Sequence, residues 1–543
     1  MRTLTMKNRS HLVLNLLIAA VFITTVILPI FSMFSRVTGD GFHEVVNSAQ
    51  FGKALWNSLS TSLTASVISL VLALAAAWCV ERTRLPGKNL FRLLFVAPML
   101  IPSMSHAIGL IALFGTSGLV TKLLHVRTAI YGFNGIVFGS VMYSFPFAYV
   151  MFAGILQYED QLPYRAAEVM GIPKIRQFTG ITLPYLKKTI ITAFFACFTM
   201  TITDYGVPLM IGGQTFTLPT LLYNKAVGGT DYASGSVIGI FLLIPAIVAF
   251  AVDLLNPENA QNAFVAESFR PRKNRALSGA ALAFSVLLCL ILLSPLVSFS
   301  FMVFEERYPT MTAFTLEHIR KTLNRGALTY LGNSLLYALL AAGIGTVFAF
   351  FCAYETARVK ERLGRVIHLI SLTSMAIPGI VLGLSYIIFF HASGIYGTIW
   401  IVVILNSVHF FSSPYLMMYN TLGKVNPNLE SAGSTLGIPR RRIILDVILP
   451  KVRGTILEMF SYFFVNSMVT ISAVSYLAPP SPKPVALLIN QFQDQRQLES
   501  AAFVSLLIFL VNVVLRITIR GVKALLSRER KERKETAAIP AAE

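Results

Sequence analysis

Residues 164–184 read YRAAEVMGIPKIRQFTGITLP, and residues 430–450 read ESAGSTLGIPRRRIILDVILP. In each, a glycine (Gly171, Gly437) runs straight into Ile-Pro and then into basic residues. Each closes on Leu-Pro (Leu183–Pro184, Leu449–Pro450), with the proline 13 positions after the glycine. Each passage lies between two long apolar runs, so it reads as a polar loop joining membrane helices, present once in each of two similar halves. Ala166, Ala167 and Glu168 favour helix, the glycine permits a sharp helix end, and the proline can open the next helix at its first position.

Composition supports the membrane setting. The chain is 55% hydrophobic and 13% charged, with a mean hydropathy of +0.68. A soluble chain of 543 residues carries far more charge. The net charge of +20 does not cluster in one region but alternates along the chain, which points to membrane orientation and not to nucleic acid. Cys79, Cys197, Cys289 and Cys352 all fall in apolar runs without paired spacing, so they read as small core residues, not as a disulfide or metal set.

Runs long enough to cross about 30 Å of hydrocarbon occur near 12–34, 57–80, 91–115, 134–156, 189–211 and 234–255. A second series follows near 278–303, 333–354, 367–390, 397–419, 455–477 and 499–517. The expectation is an all-α polytopic protein of about 12 spans, the first an uncleaved membrane helix. With the N-terminus cytoplasmic, 34 of the 45 Lys and Arg residues lie inside and 11 outside. Both termini and both loops are then cytoplasmic.

The repeat extends beyond the loops. Asn57-Ser58-Leu59 recurs as Asn333-Ser334-Leu335, and Ile101-Pro102 as Ile377-Pro378, each 276 positions on. Pro146 and Pro414 are 268 apart, and the loop glycines 266 apart. Constant order with a shrinking offset indicates duplicated halves of five helices, in the same orientation, with a path between them. The expected organisation is a first helix and outer loop (1–56), a first half (57–255), a cytoplasmic linker (256–276), a seventh helix and outer loop (277–332), a second half (333–519) and a basic tail (520–543).

The paired loops resemble the EAA coupling loop of ABC importer permeases, which carries Glu-Ala-Ala, a Gly six positions after the Glu, and a closing Ile-x-Leu-Pro. The two-half chain is similar to fused permeases of the ferric iron, thiamine and phosphonate branch. The resemblance implies a transport subunit of a bacterial inner membrane, with no catalytic residue and no cofactor of its own. ATP is then bound by a homodimeric ABC ATPase at the cytoplasmic face, and solute is delivered by an extracytoplasmic binding protein. By resemblance, the ATPase-coupling residues are Arg165, Ala166, Ala167, Glu168, Gly171, Leu183 and Pro184 in the first loop. In the second they are Glu430, Ser431, Ala432, Gly437, Leu449 and Pro450. The chain departs from the pattern where the Glu belongs, with Arg165 and Ser431 at those positions and Val447 for the closing Ile in the second copy. Its Gly-Lys pairs are never followed by Ser or Thr, so no phosphate-cradling P-loop is present. Ferric iron leads as the implied solute, before a phosphonate, phosphate ester or thiamine.

Asp204 is an acid placed deep in an apolar run, and an intramembrane carboxylate either faces an aqueous path or finds an internal partner. Asp204, Thr201, Asn466 and Thr470 are therefore candidates for path lining, with packing or gating as the competing role. His106, His391 and His409 read as packed histidines. The proline breaks at Pro102 and Pro378 free carbonyls that could face a cavity. An ion-coupled secondary transporter would share the repeats, but it would not need twin Gly-to-Leu-Pro loops. An intramembrane enzyme would need a constellation such as His-Glu-x-x-His, which is absent.

Overall fold

The computed structural model describes residues 2–125, 129–255, 269, 271, 274–306, 308–309, 313–359, 362–477 and 483–538. Most of the expected linker 256–276 lies outside the described residues. Among those described, apart from one isolated bridge between Glu305 and Phe314, the regular structure is helical. That is the solution hydrocarbon requires, since a helix satisfies its backbone groups within one segment.

Nine helices among the described residues are long and apolar enough to cross a membrane, or eleven when two bent pairs each count as one span. The remaining expected span, 455–477, is the helix Leu449–Val469, which carries Arg453, Glu458 and Asn466 and falls outside that set. Four other expected spans, 91–115, 189–211, 367–390 and 397–419, are interrupted. The run 91–115 divides into Lys88–Leu94, a tight turn at Ala97–Leu100 and the helix Ser103–Phe114. Its counterpart bends by 106° between Leu363–Ala376 and Gly379–Phe390. Both breaks fall at Ile-Pro, where Ile101 and Ile377 are extended because a following proline disfavours the helical backbone. The run 189–211 stops at Ile202, and a short helix, Gly206–Ile211, begins after the break.

Pro184 does not start a helix. The helix after the first loop is continuous from Lys174 to Ile202 and widens into a π turn over Phe178–Thr182 just before Leu183–Pro184. A proline inside a helix lacks the N–H and pushes on the preceding turn, and the wider turn makes room for its ring. The second copy repeats this with a π turn over Ile443–Ile448 ahead of Pro450.

The duplicated halves perform the same local chemistry. Asn57 donates to the carbonyl of Phe216 at 2.9 Å, and Asn333 to that of Lys483 at 3.2 Å. Ser58 and Ser334 each accept a backbone N–H, from Leu218 and Val485, both at 2.7 Å. The recurring Asn-Ser pair thus staples the opening helix of each half, Ala49–Arg82 or Ala327–Val359, to the start of a short helix, Leu218–Tyr223 or Ala486–Asp494.

The extra helices cross over. The helix His11–Phe34 precedes the first half but packs on the second, with Tyr386 donating to the Thr25 carbonyl at 2.7 Å and Phe22 against Phe348 and Phe411. The helix Arg275–Phe304 packs on the first half so closely that a Cβ on Gly109 would lie 2.2 Å from Pro295 Cβ. The closing helix Leu498–Ala538 joins it there. Its Ser505 pairs with Ser105 at 2.8 Å, and Asn512 donates to the Leu100 carbonyl at 2.9 Å. This carbonyl, next to the Pro102 break, is therefore capped by protein and does not face a cavity.

Candidate functional site

Each loop opens on a short helix. In the first, Leu162–Val169 carries Arg165, Ala166, Ala167 and Glu168, with Ala167 buried. In the second, Asn428–Thr435 carries Glu430, Ser431 and Ala432. Both helices end in the same way. Gly171 (φ +69°) and Gly437 (φ +70°) adopt the left-handed conformation. Ile172 N–H reaches back to Ala167 O at 2.9 Å and Gly171 N–H to Glu168 O at 3.0 Å. The second copy matches with Ile438 to Gly433 at 2.8 Å and Gly437 to Ser434 at 3.2 Å. This Schellman arrangement satisfies the last carbonyls and turns the chain sharply. It leaves Val169, Met170, Ile175 and Leu436 each at least 74% exposed, an apolar surface at the loop tips. Leu183 and Pro184 are exposed, whereas Leu449 is half-buried beside an exposed Pro450.

The loop acids are paired. Glu168 forms an ion pair with Lys174 within its own loop. Glu430 pairs with Arg358 at the end of the opening helix, Nε to Oε1 being 2.7 Å. Burial works against the charged form of Glu430, but hydrogen bonds from Arg358 and the guanidinium charge override it and hold the carboxyl below its usual range. Arg440, after the second glycine, donates to Tyr354 at 2.7 Å and contacts His11, whose other ring nitrogen lies 3.0 Å from Glu355. The N-terminal helix is thereby pinned to the exit of the second loop.

A buried ion pair between Arg82 and Glu159 at the base of the first loop went unnoticed in the sequence. Glu159 also accepts from Tyr164 at 2.5 Å, and Tyr164 lies 2.6 Å from Thr182. Repeat arithmetic carried the signal, because Arg82 and Arg358 are 276 positions apart, the offset of the Asn-Ser-Leu pair.

At the other end of the long helices the two halves meet. Tyr205 of the first half lies 2.7 Å from Ser475 and accepts from Asn490 at 2.9 Å, both of the second. Tyr223 stacks on Tyr205 and meets Tyr476 edge to face. A cavity of about 250 Å³ adjoins this seam, lined by Tyr223 and, from the second half, Ser475, Lys483, Asn490, Gln491 and Asp494.

Asp204 sits beside that seam in the helix break, buried. It accepts from Ser103 at 2.7 Å and from the backbone N–H groups of Gly206 and Val207 at 3.3 and 2.9 Å. It therefore caps the short helix Gly206–Ile211 and ties it to the start of the broken helix at Pro102. Thr201 is buried against Ser66, donating to Cys197 O at 2.9 Å. Asn466 donates to Tyr462 O at 2.7 Å, and Thr470 sits where the helix Leu449–Val469 ends. Asp204 and Thr201 take their hydrogen bonds within the first half, and Asn466 and Thr470 theirs within the second. Among the described residues, no cluster of His, Cys, Asp and Glu forms a metal centre.

The sequence matches the family described as binding-protein-dependent transport system inner membrane component twice, over residues 69–260 and 345–529. The chain is 24% identical to a ferric transport system permease protein of Actinobacillus pleuropneumoniae over 505 residues, 88% of this chain and 71% of that protein. It is 25% identical to a putative ferric transport system permease protein of Haemophilus influenzae, covering 80% of this chain and 71% of that protein. A sulfate transport system permease protein of Salmonella typhimurium is 23% identical, covering 41% of this chain and 82% of its own length. The chain belongs to this permease family. It is the transmembrane subunit of an ABC-type importer, forms a path for a small solute, and is a transport component, not a catalyst.

Proposed function

We propose that this permease carries ferric iron, that its two loops dock a homodimeric ATPase at the cytoplasmic face of a bacterial inner membrane, and that an extracytoplasmic binding protein delivers solute to the opposite end. The observation that carries the docking role is the twinned loop geometry. Two helices end in the same left-handed glycine, present exposed apolar tips, and feed long helices that run toward the seam between the halves. A helix of 29 residues spans about 43 Å, enough to carry a displacement from one face to the other. The distribution of Lys and Arg supports cytoplasmic termini and loops.

Two observations favour ferric iron. Two of three relatives that align over most of the chain are ferric transport permeases, and the third is a probable ABC transporter permease of Sinorhizobium fredii whose name gives no solute. The sulfate permease aligns over less than half. The cavity at the seam offers carboxylate, phenol, hydroxyl and amide oxygens from Asp494, Tyr223, Ser475, Asn490 and Gln491, the donors a hard cation takes. Asp204 is assigned the capping of the short helix Gly206–Ile211, and the path runs past Tyr205, Ser475 and Asn490. The test is reconstitution of the permease with its ATPase and binding protein in liposomes, followed by uptake of radioactive ferric iron and of radioactive sulfate. ATP-dependent iron uptake supports the reading, and uptake of sulfate alone replaces it with an oxyanion importer in which Lys483 supplies the charge.

A further inference from the structure

Arg82 and Arg358 occupy the same place in the two halves, at the cytoplasmic end of the opening helix, yet no shared motif surrounds them: Glu81-Arg82-Thr83 stands against Ala357-Arg358-Val359. Both are inside the protein, with side chains 2% and 4% exposed. Each turns its guanidinium onto the root of its own loop. In the first half Arg82 pairs with Glu159, itself 4% exposed, and Glu159 takes the hydroxyl of Tyr164 from the loop helix. Tyr164 then reaches Thr182 in the helix that follows the loop. Opening helix, loop entry, loop helix and exit helix are thus joined in one buried relay. In the second half the fork of Arg358 holds the carbonyls of Val425 and Asn426 at 2.6 and 2.8 Å as well as Glu430 in the loop helix. The partner carboxylates differ in position, 159 at the loop entry and 430 within the loop helix, so the two halves reach one result by different contacts.

We propose that Arg82 and Arg358 are positioning residues for coupling: each locks its loop to the opening helix of its half, so that a push on the loop moves that helix instead of bending the loop. The physical reason is stiffness. Arg358 spreads its planar guanidinium over Glu430 and two backbone carbonyls, and Arg82 sets its own between Glu159 and the Phe269 ring. A planar group so held resists sliding and rotation better than a lysine point charge. Both clamps also reach a segment from outside their half. The Arg82 guanidinium lies 3.8 Å from the Phe269 ring of the linker, and the neighbouring Arg84 donates to the Pro271 carbonyl at 2.9 Å. On the other side, the loop held by Arg358 is braced at its exit by His11 through Arg440. Each opening helix is also stapled at its other end by Asn57 and Ser58 or Asn333 and Ser334 to the start of the short helix, Leu218–Tyr223 or Ala486–Asp494, that reaches the seam. A displacement delivered at the arginine therefore arrives where the halves meet.

This inference rests on the reading of the loops as ATPase docks. The experiment uses the full permease reconstituted with its ATPase and binding protein, and it measures three things: ATPase retained on purification, ATP hydrolysis stimulated by loaded binding protein, and solute taken up per ATP. If the dock reading itself is wrong, the wild-type permease retains no ATPase. With wild type intact, the double variant Arg82→Ala/Arg358→Ala is expected to keep the ATPase and its hydrolysis while uptake per ATP falls about tenfold, the range of coupling seen between residues in one network. Arg82→Lys/Arg358→Lys should lie between, and the exchanged pair Arg82→Glu/Glu159→Arg should recover uptake per ATP relative to Arg82→Glu alone. Uptake per ATP within about twofold of wild type in the double alanine variant overturns the proposal. So does loss of the ATPase that the exchanged pair does not repair, because the arginines would then build the dock and not tie it to the helix.

Discussion

Replacing Gly171 or Gly437 tests whether the loop ends by backbone conformation or by packing. A Cβ added at either position meets nothing within 4 Å, so the first side-chain atom enters open space. The cost is confined to the backbone, which sits at φ +69° and +70°. An L-residue in that region is strained by about 1–2 kcal/mol, and an asparagine by less. That corresponds to a shift of roughly 5- to 30-fold in the closed population of each loop end. Gly→Ala and Gly→Leu should therefore cost the same, and Gly→Asn should be milder. The first readout is hydrogen exchange at the Ile172 and Ile438 amides, which are protected only while the turn is closed. The second is uptake per ATP, which should fall in the order Gly, Asn, then Ala together with Leu, with a larger fall when both loops are changed. A leucine far worse than alanine, or an asparagine no better than alanine, would refute the backbone argument and imply a surface that packs on the glycine in the working complex.

Four further outcomes are expected. Asp204→Asn retains an acceptor for the Val207 N–H and should lower the melting temperature little, whereas Asp204→Leu loses the cap and strands the Ser103 hydroxyl, costing about 1–3 kcal/mol in thermal melts. Ser58→Ala and Ser334→Ala each orphan a buried backbone N–H and should destabilise by similar amounts, about 1–3 kcal/mol; strongly unequal losses would contradict equivalent stapling of the halves. Because Arg358 depresses the Glu430 pKa, the pair stabilises fully above the carboxyl's unfolded value near ~4.3 and loses that contribution as pH falls through the folded value. The melting difference between wild type and Glu430→Gln should thus be present at pH 7 and vanish in acid. Cysteines placed at Asn274 and Gly228 should react with impermeant reagents from opposite sides of the membrane, and labelling of both from one side would overturn the six-plus-six arrangement.

Period and composition were enough to give the membrane class, the duplication and the twinned loops, because each depends on residues near one another in the chain. A glycine before Ile-Pro dictates its own helix end, and an apolar run of 20 residues is long enough to cross hydrocarbon whatever surrounds it. Where a helix breaks was legible only in part. Ile101-Pro102 and Ile377-Pro378 announce their breaks through local sterics. The π turn that absorbs Pro184 could not be read, since the same Leu-Pro can equally start a helix, and packing of the following turns decides which occurs. Only the tertiary structure shows which partners the buried polar groups of Asp204, Arg82 and Arg358 take. Asp204 is the same carboxylate whether it faces a path or caps a helix, and it caps because Ser103, 101 residues earlier, arrives within 2.7 Å. Arg82 finds Glu159, and Arg358 finds Glu430, only when distant helix ends converge. Charges in hydrocarbon or at its border must be matched, but the sequence does not say by whom. The partner is fixed by which helices cross, and here the helices preceding each half cross onto the other.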